Sequence, residues 1–233
     1  MTVRHPVPDE LLLDYAVGST GPGKTLLVAT HLAMWPASRQ RYAMLRQVGA
    51  ALTHSLTGRS LDRISAESVL AHAESYASRA EDVIARRLHS CPPAAAPRLG
   101  GKLRELRVPA PLASFAREVV DSRAWRKLGV GVDAAVLSSV STRQGRTQML
   151  HARRGTRIVR YTHGGEVLVL VLQGAVWDAG ERFGAGDVAV SHESSTHAPV
   201  IDDAEDCWCL AVTAGPISFV GRYGWLLNLL NRF

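Results

Sequence analysis

The chain has 233 residues, of which 46% are hydrophobic and 21% charged, and this length is enough for one or two domains with a buried core. No apolar run approaches the roughly 18 residues that a membrane-spanning helix needs. Three cysteines do not form a disulfide framework, and the first residues lack the pattern of a signal peptide. We therefore expect a cytoplasmic protein that does not enter the membrane.

The net charge of +6 is unevenly distributed. Residues 1–90 carry 10 basic and 8 acidic side chains, residues 91–160 carry 14 and 4, and residues 161–233 carry 3 and 9. A basic middle and an acidic end that share one sheet cancel much of each other's field. The charge therefore indicates a protein-binding surface at least as well as a nucleic-acid surface, and we expect no direct DNA binding.

The first ninety residues have apolar positions at helical spacing. Leu45, Val48, Leu52 and Leu56 form one stripe, and a second stripe runs over 69–88, as helices buried on one face require. Pro36 interrupts the helical pattern, so His31 and Trp35 share a helix face just before a break. We predict an all-α domain over residues 1–90.

A Pro- and Gly-rich stretch, CPPAAAPRLGGK, follows the helical region. It predicts a linker over residues 91–106. Beyond it, short β-rich runs such as VLVLVLQGAVW and DCWCLAVT alternate with turn residues at intervals near ten. This spacing is typical of an antiparallel sandwich or barrel. The chain is thus predicted to be α+β with two domains, the second an all-β barrel over residues 107–233.

One segment, GSTGPGKT at residues 18–25, matches the phosphate-loop pattern. In such a loop Lys24 reaches the phosphates and Thr25 holds magnesium. The sequence before the match fits a helix better than a strand, and no alternating strands and helices follow it to build a parallel sheet. We interpret the segment as a helix connector, with nucleotide binding as an alternative that a Lys24→Ala variant tests.

Two sets of motifs occur in a fixed order: PDELLLDYAVG, LLVATHL and WPAS in the helical region, then LVLQGAVWD, ERFGAGDV, THAPV and DCWCLA in the β-rich region. The first set resembles the zinc-binding helical module of the ChrR-type anti-sigma factors, and the second resembles the cupin domain that follows it. The resemblance implies a regulator, not an enzyme, that sequesters an extracytoplasmic-function sigma factor and represses its regulon. The cupin domain would sense an oxidative or small-molecule signal. From position alone, Arg39, Arg41 and Arg46 are candidate sigma contacts.

The helical module departs from the family's zinc pattern, in which a His-x3-Cys-x2-Cys run and an N-terminal histidine hold the metal. Here the run is His31, Trp35 and Ser38. Because tetrahedral zinc needs four nitrogen or thiolate donors, His5 and His31 alone would not complete a site. We expect Trp35 and Ser38 to replace the zinc ligands, with the indole filling the space as apolar bulk.

The cupin motifs also depart from the family's metal-binding pattern. Tyr161, His163 and His197 occupy motif positions, but Glu166 comes one residue early and reaches an inward metal only if the Gly-Gly pair before it bulges the strand. These four residues are the candidate metal ligands, for zinc or iron, and an empty pocket is the alternative. A metal-dependent cupin enzyme, a dioxygenase or peroxide-processing protein, is the alternative function.

The remaining candidates are the cysteines and the C-terminus. Cys207 and Cys209 share one face of a probable strand and are predicted to be core thiols, whereas Cys91 is the cysteine expected to be exposed. The segment GRYGWLLNLLNRF at residues 221–233 is predicted to dock on its own barrel or on a second copy. A homodimer through the cupin domain or this segment follows as a hypothesis.

Overall fold

A computed structural model describes residues 3–55, 99–143, 145–193 and 195–220. The helices are α1 (Asp9–Val17), α2 (Pro22–Met34), α3 (Pro36–Ser55) and α4 (Ala110–Ala116). The strands are β1 (Arg126–Gly129), β2 (Val132–Val136), β3 (Arg146–Ala152), β4 (Tyr161–His163), β5 (Val167–Gln173), β6 (Ala175–Asp178), β7 (Glu181–Gly184), β8 (Val188–Ser191), β9 (Thr196–His197), β10 (Val200–Ile201), β11 (Cys207–Thr213) and β12 (Ile217–Phe219).

The predicted order of helices followed by an antiparallel β-domain is confirmed. α1 ends at Gly18, whose φ of 75° is the left-handed conformation common after a helix. α2 begins at Pro22, where proline's fixed φ suits the first turn. In the first predicted stripe, Leu45 is half-buried and Val48 is exposed. The second predicted stripe, over 69–88, lies outside the described residues.

The β-domain consists of three antiparallel sheets. The largest has six strands in the order β1-β2-β3-β11-β5-β8, and two smaller sheets have the orders β10-β6-β7 and β12-β4-β9. β3 and β11 pair along their full length, and β11 pairs with β5 from Trp208 to Thr213, with a register shift between Trp208 and Cys209. This arrangement is the barrel that the β-rich runs predicted.

The central strands of the six-stranded sheet are buried on both faces. On β5, Leu168 and Leu170 belong to the core that contains the helices, whereas Val169 and Val171 belong to a second core inside the barrel. Alternate side chains of a strand point to opposite faces, so both faces being covered explains the unbroken apolar run VLVLVLQ.

Helix α2 covers the outer face of this sheet. Residues Gly23 to Leu32 of α2 are all buried, apart from Lys24. The approach is closest at Gly23, where an added Cβ would lie 2.2 Å from Thr147 Oγ1. A glycine at this position therefore allows the helix to contact β3.

The predicted linker is within the described residues only from Leu99 onward, and this part is packed. Leu99, Leu103 and Leu106 are all at least nine-tenths buried in the same core as α2. The ammonium of Lys102 lies 2.5 Å from an Asp133 carboxylate oxygen and 4.9 Å from the ring centroid of Trp125. Residues 99–106 are therefore part of the core and not a spacer, while the domain boundaries at 90 and 107 remain predictions.

Within the described ranges, no helix combines the length and the apolar character that crossing a bilayer requires.

Candidate functional site

The junction between α2 and α3 is built around a buried histidine. His31 has no exposed surface, and its Nδ1 lies 2.9 Å from the carbonyl oxygen of Gly186 in the turn between β7 and β8. Its Nε2 lies 2.7 Å from Oγ of Ser38. Because α2 ends at Met34 and α3 begins at Pro36, the two side chains face each other across the helix break.

These hydrogen bonds define the form of the imidazole. A carbonyl oxygen can only accept, so Nδ1–H donates to Gly186, and Nε2 accepts the hydroxyl proton of Ser38. Burial lowers the pKa of His31, against the smaller opposing effects of the Gly186 hydrogen bond and the Asp187 charge. His31 is therefore a neutral structural histidine whose two ring nitrogens both have partners.

The residues at this junction do not fit a zinc ion. The ring of His5 packs on Phe183 with ring centroids 4.5 Å apart, and both nitrogens of His31 are in hydrogen bonds. Ser38, at a family thiolate position, is buried and bonds His31 directly. Trp35 is partly buried, and its role as apolar filler stays a prediction. The Ser38 hydrogen bond links the two helices.

Asp187 joins the N-terminus to the barrel next to this junction. Its buried carboxylate accepts hydrogen bonds from the backbone N–H groups of Arg4, His5 and Gly184, at 2.7, 2.9 and 2.8 Å. The N–H of Val188 donates to the His5 carbonyl at 2.7 Å. The β7–β8 turn thus contacts both the N-terminal residues and, through Gly186, helix α2.

A second cluster lies in the barrel, where β4 and β9 pair. The Nε2 atoms of His163 and His197 are 3.2 Å apart. Nδ1 of His163 lies 2.5 Å from the Gly165 carbonyl oxygen, and Nδ1 of His197 lies 2.5 Å from Asp178 Oδ2. Each Nδ1 atom thus has an oxygen acceptor as its partner, and the two Nε2 atoms face each other.

The other two predicted barrel ligands do not complete a metal site. Tyr161 lies beside His197, with ring centroids 5.5 Å apart, and burial raises the pKa of its phenol well above the ordinary value, which keeps it protonated. The carboxylate of Glu166 forms an ion pair with Lys24 of α2. The prediction of Glu166 as an inward ligand is therefore wrong, because its partner is a lysine of the helical region.

The donor set left in the barrel is two imidazoles. Zinc sites use three or four protein donors, and the described part of the chain contains no group of three or more His, Cys, Asp or Glu residues arranged to hold a metal. The residues present in the barrel do not fit the zinc or iron that the resemblance left open.

The phosphate-loop residues and the cysteines have structural partners. Lys24 pairs with Glu166, and the Thr25 hydroxyl donates to the Gly21 carbonyl at 3.0 Å, within its own helix start. Cys207 and Cys209 are buried, with sulfur atoms 3.6 Å apart. The hydrogen bond with Cys209 and burial raise the pKa of the Cys207 thiol. Cys91 lies outside the described residues.

The three candidate sigma-contact arginines differ in their surroundings. Arg39 donates to the Leu32 carbonyl at the end of α2, at 2.7 Å. Arg41 forms a two-point ion pair with Asp9 of α1, which lowers the pKa of that carboxyl. Arg46 lies over the ring of Tyr42 at 5.8 Å. Arg39 and Arg41 thus have clear roles within the helical region.

Sequence reasoning missed Asp178 and Asp187, which hold His197 and the N-terminal backbone. Asp178 ends the β-run AVWD, and Asp187 ends the turn sequence GAGD just before a strand. At both positions an acidic residue is equally expected in an exposed turn. Only the pairing of strands brings them to their partners, so no signal in the sequence separates them from turn residues.

The fold and the site define a class of protein in which helices pack on a cupin-like barrel. Hydrogen bonds occupy both predicted metal positions, the α2–α3 junction and the histidine pair of the barrel. Residues 116–218 match the family described as the ChrR cupin-like domain.

The Anti-sigma-E factor ChrR of Cereibacter sphaeroides is 35% identical over 219 residues, which are 94% of this chain and 93% of that protein. In the solved structure of Rhodobacter sphaeroides SigE in complex with the anti-sigma ChrR, a chain is similar at 34% identity and a TM-score of 0.65, over 91% of this chain and 100% of that one. The chain belongs to the ChrR family of anti-sigma factors.

Proposed function

We propose that this protein binds an extracytoplasmic-function sigma factor through its helical region and so represses the genes which that sigma factor transcribes. The observation that carries the proposal is a set of exposed apolar side chains on α1 and α3. The surface consists of Leu13, Val17, Met44 and Val48, whose exposed fractions are 44, 76, 59 and 58%.

This apolar surface lies on two helices that are packed against each other. The rings of Tyr15 on α1 and Tyr42 on α3 are 5.3 Å apart, and Asp9 pairs with Arg41 between the same helices. Leu13 and Val17 are four residues apart on α1, and Met44 and Val48 are four apart on α3, so each pair lies on one face of its helix. Exposed apolar side chains of this kind are typical of a protein-binding surface. The similarity to a chain solved together with SigE supports a sigma factor as the partner.

Among the predicted contact arginines, Arg46 is our candidate for the sigma factor. It stands between Met44 and Val48 on α3 and is exposed. Arg39 and Arg41 are engaged with α2 and α1, so their substitution would disturb the helices as well as any interface.

We assign the barrel the role of a sensor for an oxidative or small-molecule signal. The contacts of Gly186 with His31 and of Asp187 with the N-terminal backbone support this role, because they join the barrel to the helices that would hold the sigma factor. The enzyme alternative has less support, since the barrel residues lack a third metal donor and the family is one of regulators.

Co-purification tests the proposal. The protein is co-expressed with the sigma factor encoded beside its gene, and the sigma factor is expected to co-elute with it and to lose activity at its promoters. The Leu13→Asp/Met44→Asp variant should reduce complex formation at least tenfold. Val130→Asp, at a 96% exposed apolar residue of the β1–β2 turn, is the matched control and should bind normally. A complex unaffected by the double substitution would contradict the proposed surface.

Three further expectations are part of the proposal. These are a cytoplasmic location, no direct DNA contact and a homodimer through the barrel or the C-terminal segment. Residues 221–233, which would make that second contact, lie outside the described residues.

A further inference from the structure

The barrel contains a cavity of about 680 Å³ that neither histidine lines. It lies between the inner face of the six-stranded sheet and strands β4 and β12, with the β1–β2 hairpin at one side. This volume is in the range of pockets that enclose small organic molecules. Tyr161, whose ring centroid lies 5.5 Å from that of His197, also lines the cavity, so the cavity adjoins the paired histidines and is large enough for a ligand of its own.

The walls of the cavity are apolar because of strand alternation. Val167 and Val169 of β5 and Leu150 of β3 face it, while the residues between them, such as Leu168 and Met149, face helix α2. Ile217 and Phe219 of β12 close the opposite side. The lining is mainly apolar, although Gln148, Thr213 and Tyr161 also contribute to it, and it offers an alkyl chain close contact on two sides.

The rim of the cavity is cationic. Lys127, Arg153 and Arg157 line it and are exposed, and within the described chain none of the three side chains is in an ion pair. The one acidic residue among the lining residues, Asp133, is already paired with Lys102. The rim also lies in residues 91–160, which carry the chain's basic excess. An anionic group at the rim would thus meet two guanidinium groups and one ammonium group that have no ion-pair partner within the described chain.

We infer that this cavity binds an amphipathic carboxylate, with a linear alkyl chain between the two walls and its carboxylate at Lys127, Arg153 and Arg157. Arginine is suited to this head group because its guanidinium matches a carboxylate in two hydrogen bonds. The inference goes beyond the proposed sigma-factor function. Binding is measured on the protein alone, so failure of one does not imply failure of the other.

Calorimetric titration of the full chain with dodecanoate, below its micelle concentration, tests the inference. Binding is expected at one molecule per chain. Shortening the acid by one methylene at a time should weaken binding about fourfold per carbon, because each methylene is buried. Dodecyltrimethylammonium has the same chain with a cationic head and should bind at least tenfold more weakly than dodecanoate.

Two variants separate the head-group and chain contacts. Arg153→Ala/Arg157→Ala is expected to weaken dodecanoate binding at least tenfold. The matched control Arg104→Ala/Arg123→Ala removes the same charge at exposed residues that do not line the cavity and should change binding less than twofold. Leu150→Trp should fill the cavity and abolish binding. If it does not fold, the rim variants at exposed positions still decide the outcome.

Four results would overturn the inference. The first is absence of dodecanoate binding, which a cavity filled by residues 221–233 would give. The second is equally tight binding of dodecyltrimethylammonium, and the third is an equal loss of binding in the two arginine double variants. The fourth is displacement of dodecanoate by a short oligonucleotide, which would assign the rim to nucleic acid.

Discussion

The hydrogen bond between Ser38 and His31 links two helices at a position with no access to water. If the hydroxyl is removed, Nε2 of His31 becomes a buried acceptor without a partner, which costs about 1–3 kcal/mol. We therefore expect Ser38→Ala to lower the free energy of unfolding by that amount, measured by urea denaturation. Ser139→Ala is the control, because Ser139 bonds Glu118 at an exposed site and should lose little. Equal losses in the two variants would show that Ser38 has no special role.

The lowered pKa of His31 makes stability depend on pH. In the unfolded chain the imidazole takes up a proton near pH 6.5, whereas the buried imidazole stays neutral to lower pH. The unfolded state thus binds more protons in this window, so stability falls as pH drops below 6.5, by at most about 1.4 kcal/mol per pH unit. Between pH 7.5 and 5.5, His31→Gln should lose about 1 kcal/mol less than the parent in urea titrations. Parallel pH profiles would contradict this assignment.

The sequence indicated which residues occupy the helix junction but not how they interact. The spacing of His31, Trp35 and Ser38 identified the positions, and the chemistry of zinc excluded the metal. That Ser38 bonds His31 depends on the turn between the helices, which brings a hydroxyl to Nε2 and leaves the indole partly exposed. Glu166 pairs with Lys24 across elements more than a hundred residues apart, a contact that no local pattern encodes.

At the scale of elements, the packing of α2 on the sheet depends on a glycine. A methyl group at Gly23 would overlap Thr147 Oγ1, which itself donates to the Val140 carbonyl at 3.1 Å. We expect Gly23→Ala to destabilise the protein by about 1–3 kcal/mol. Gly49→Ala in α3, where an added Cβ meets nothing within 4 Å, should stabilise it by about 0.4–1 kcal/mol. Thermal denaturation of both variants measures the difference, and a stabilised Gly23→Ala protein would contradict the close packing.

The strands were more predictable than the segment before them. β5 and β11 are continuous apolar runs, and such runs are typical of strands covered on both faces. The segment over 99–106 is rich in glycine and charge, although its three buried leucines are four and three residues apart, as on one helix face. Only Gly101–Leu103 forms a short 3-10 helix. The burial of the leucines in the core that they share with α2 is a property of the assembled fold.

At the scale of the whole molecule, helices and barrel share one core. Leu168, Leu170 and Leu210 are almost fully buried together with Leu26 and Leu27 of α2. A fragment of residues 107–233 keeps the barrel but loses this cover, which exposes an apolar sheet face. We expect the fragment to bind a hydrophobic fluorescent dye and to aggregate on size-exclusion chromatography, whereas the full chain does neither.

The outcome of this experiment also bears on the predicted domain boundaries. A fragment that is monomeric, does not bind the dye and unfolds cooperatively would support an independent barrel from residue 107. The expected aggregation would instead make the helical region part of the barrel's folding unit.

The serine at position 38 also makes the helix junction independent of the zinc supply of the cell. A helix junction closed by an imidazole and a hydroxyl reaches its folded geometry in a zinc-starved cell as readily as in a replete one, because the bond is supplied by the chain itself. A chelator in a purification buffer should therefore not change this junction. Oxidants that attack metal-bound thiolates should not react with the Ser38 hydroxyl. Folding of this helix junction is thus expected to be independent of the zinc supply.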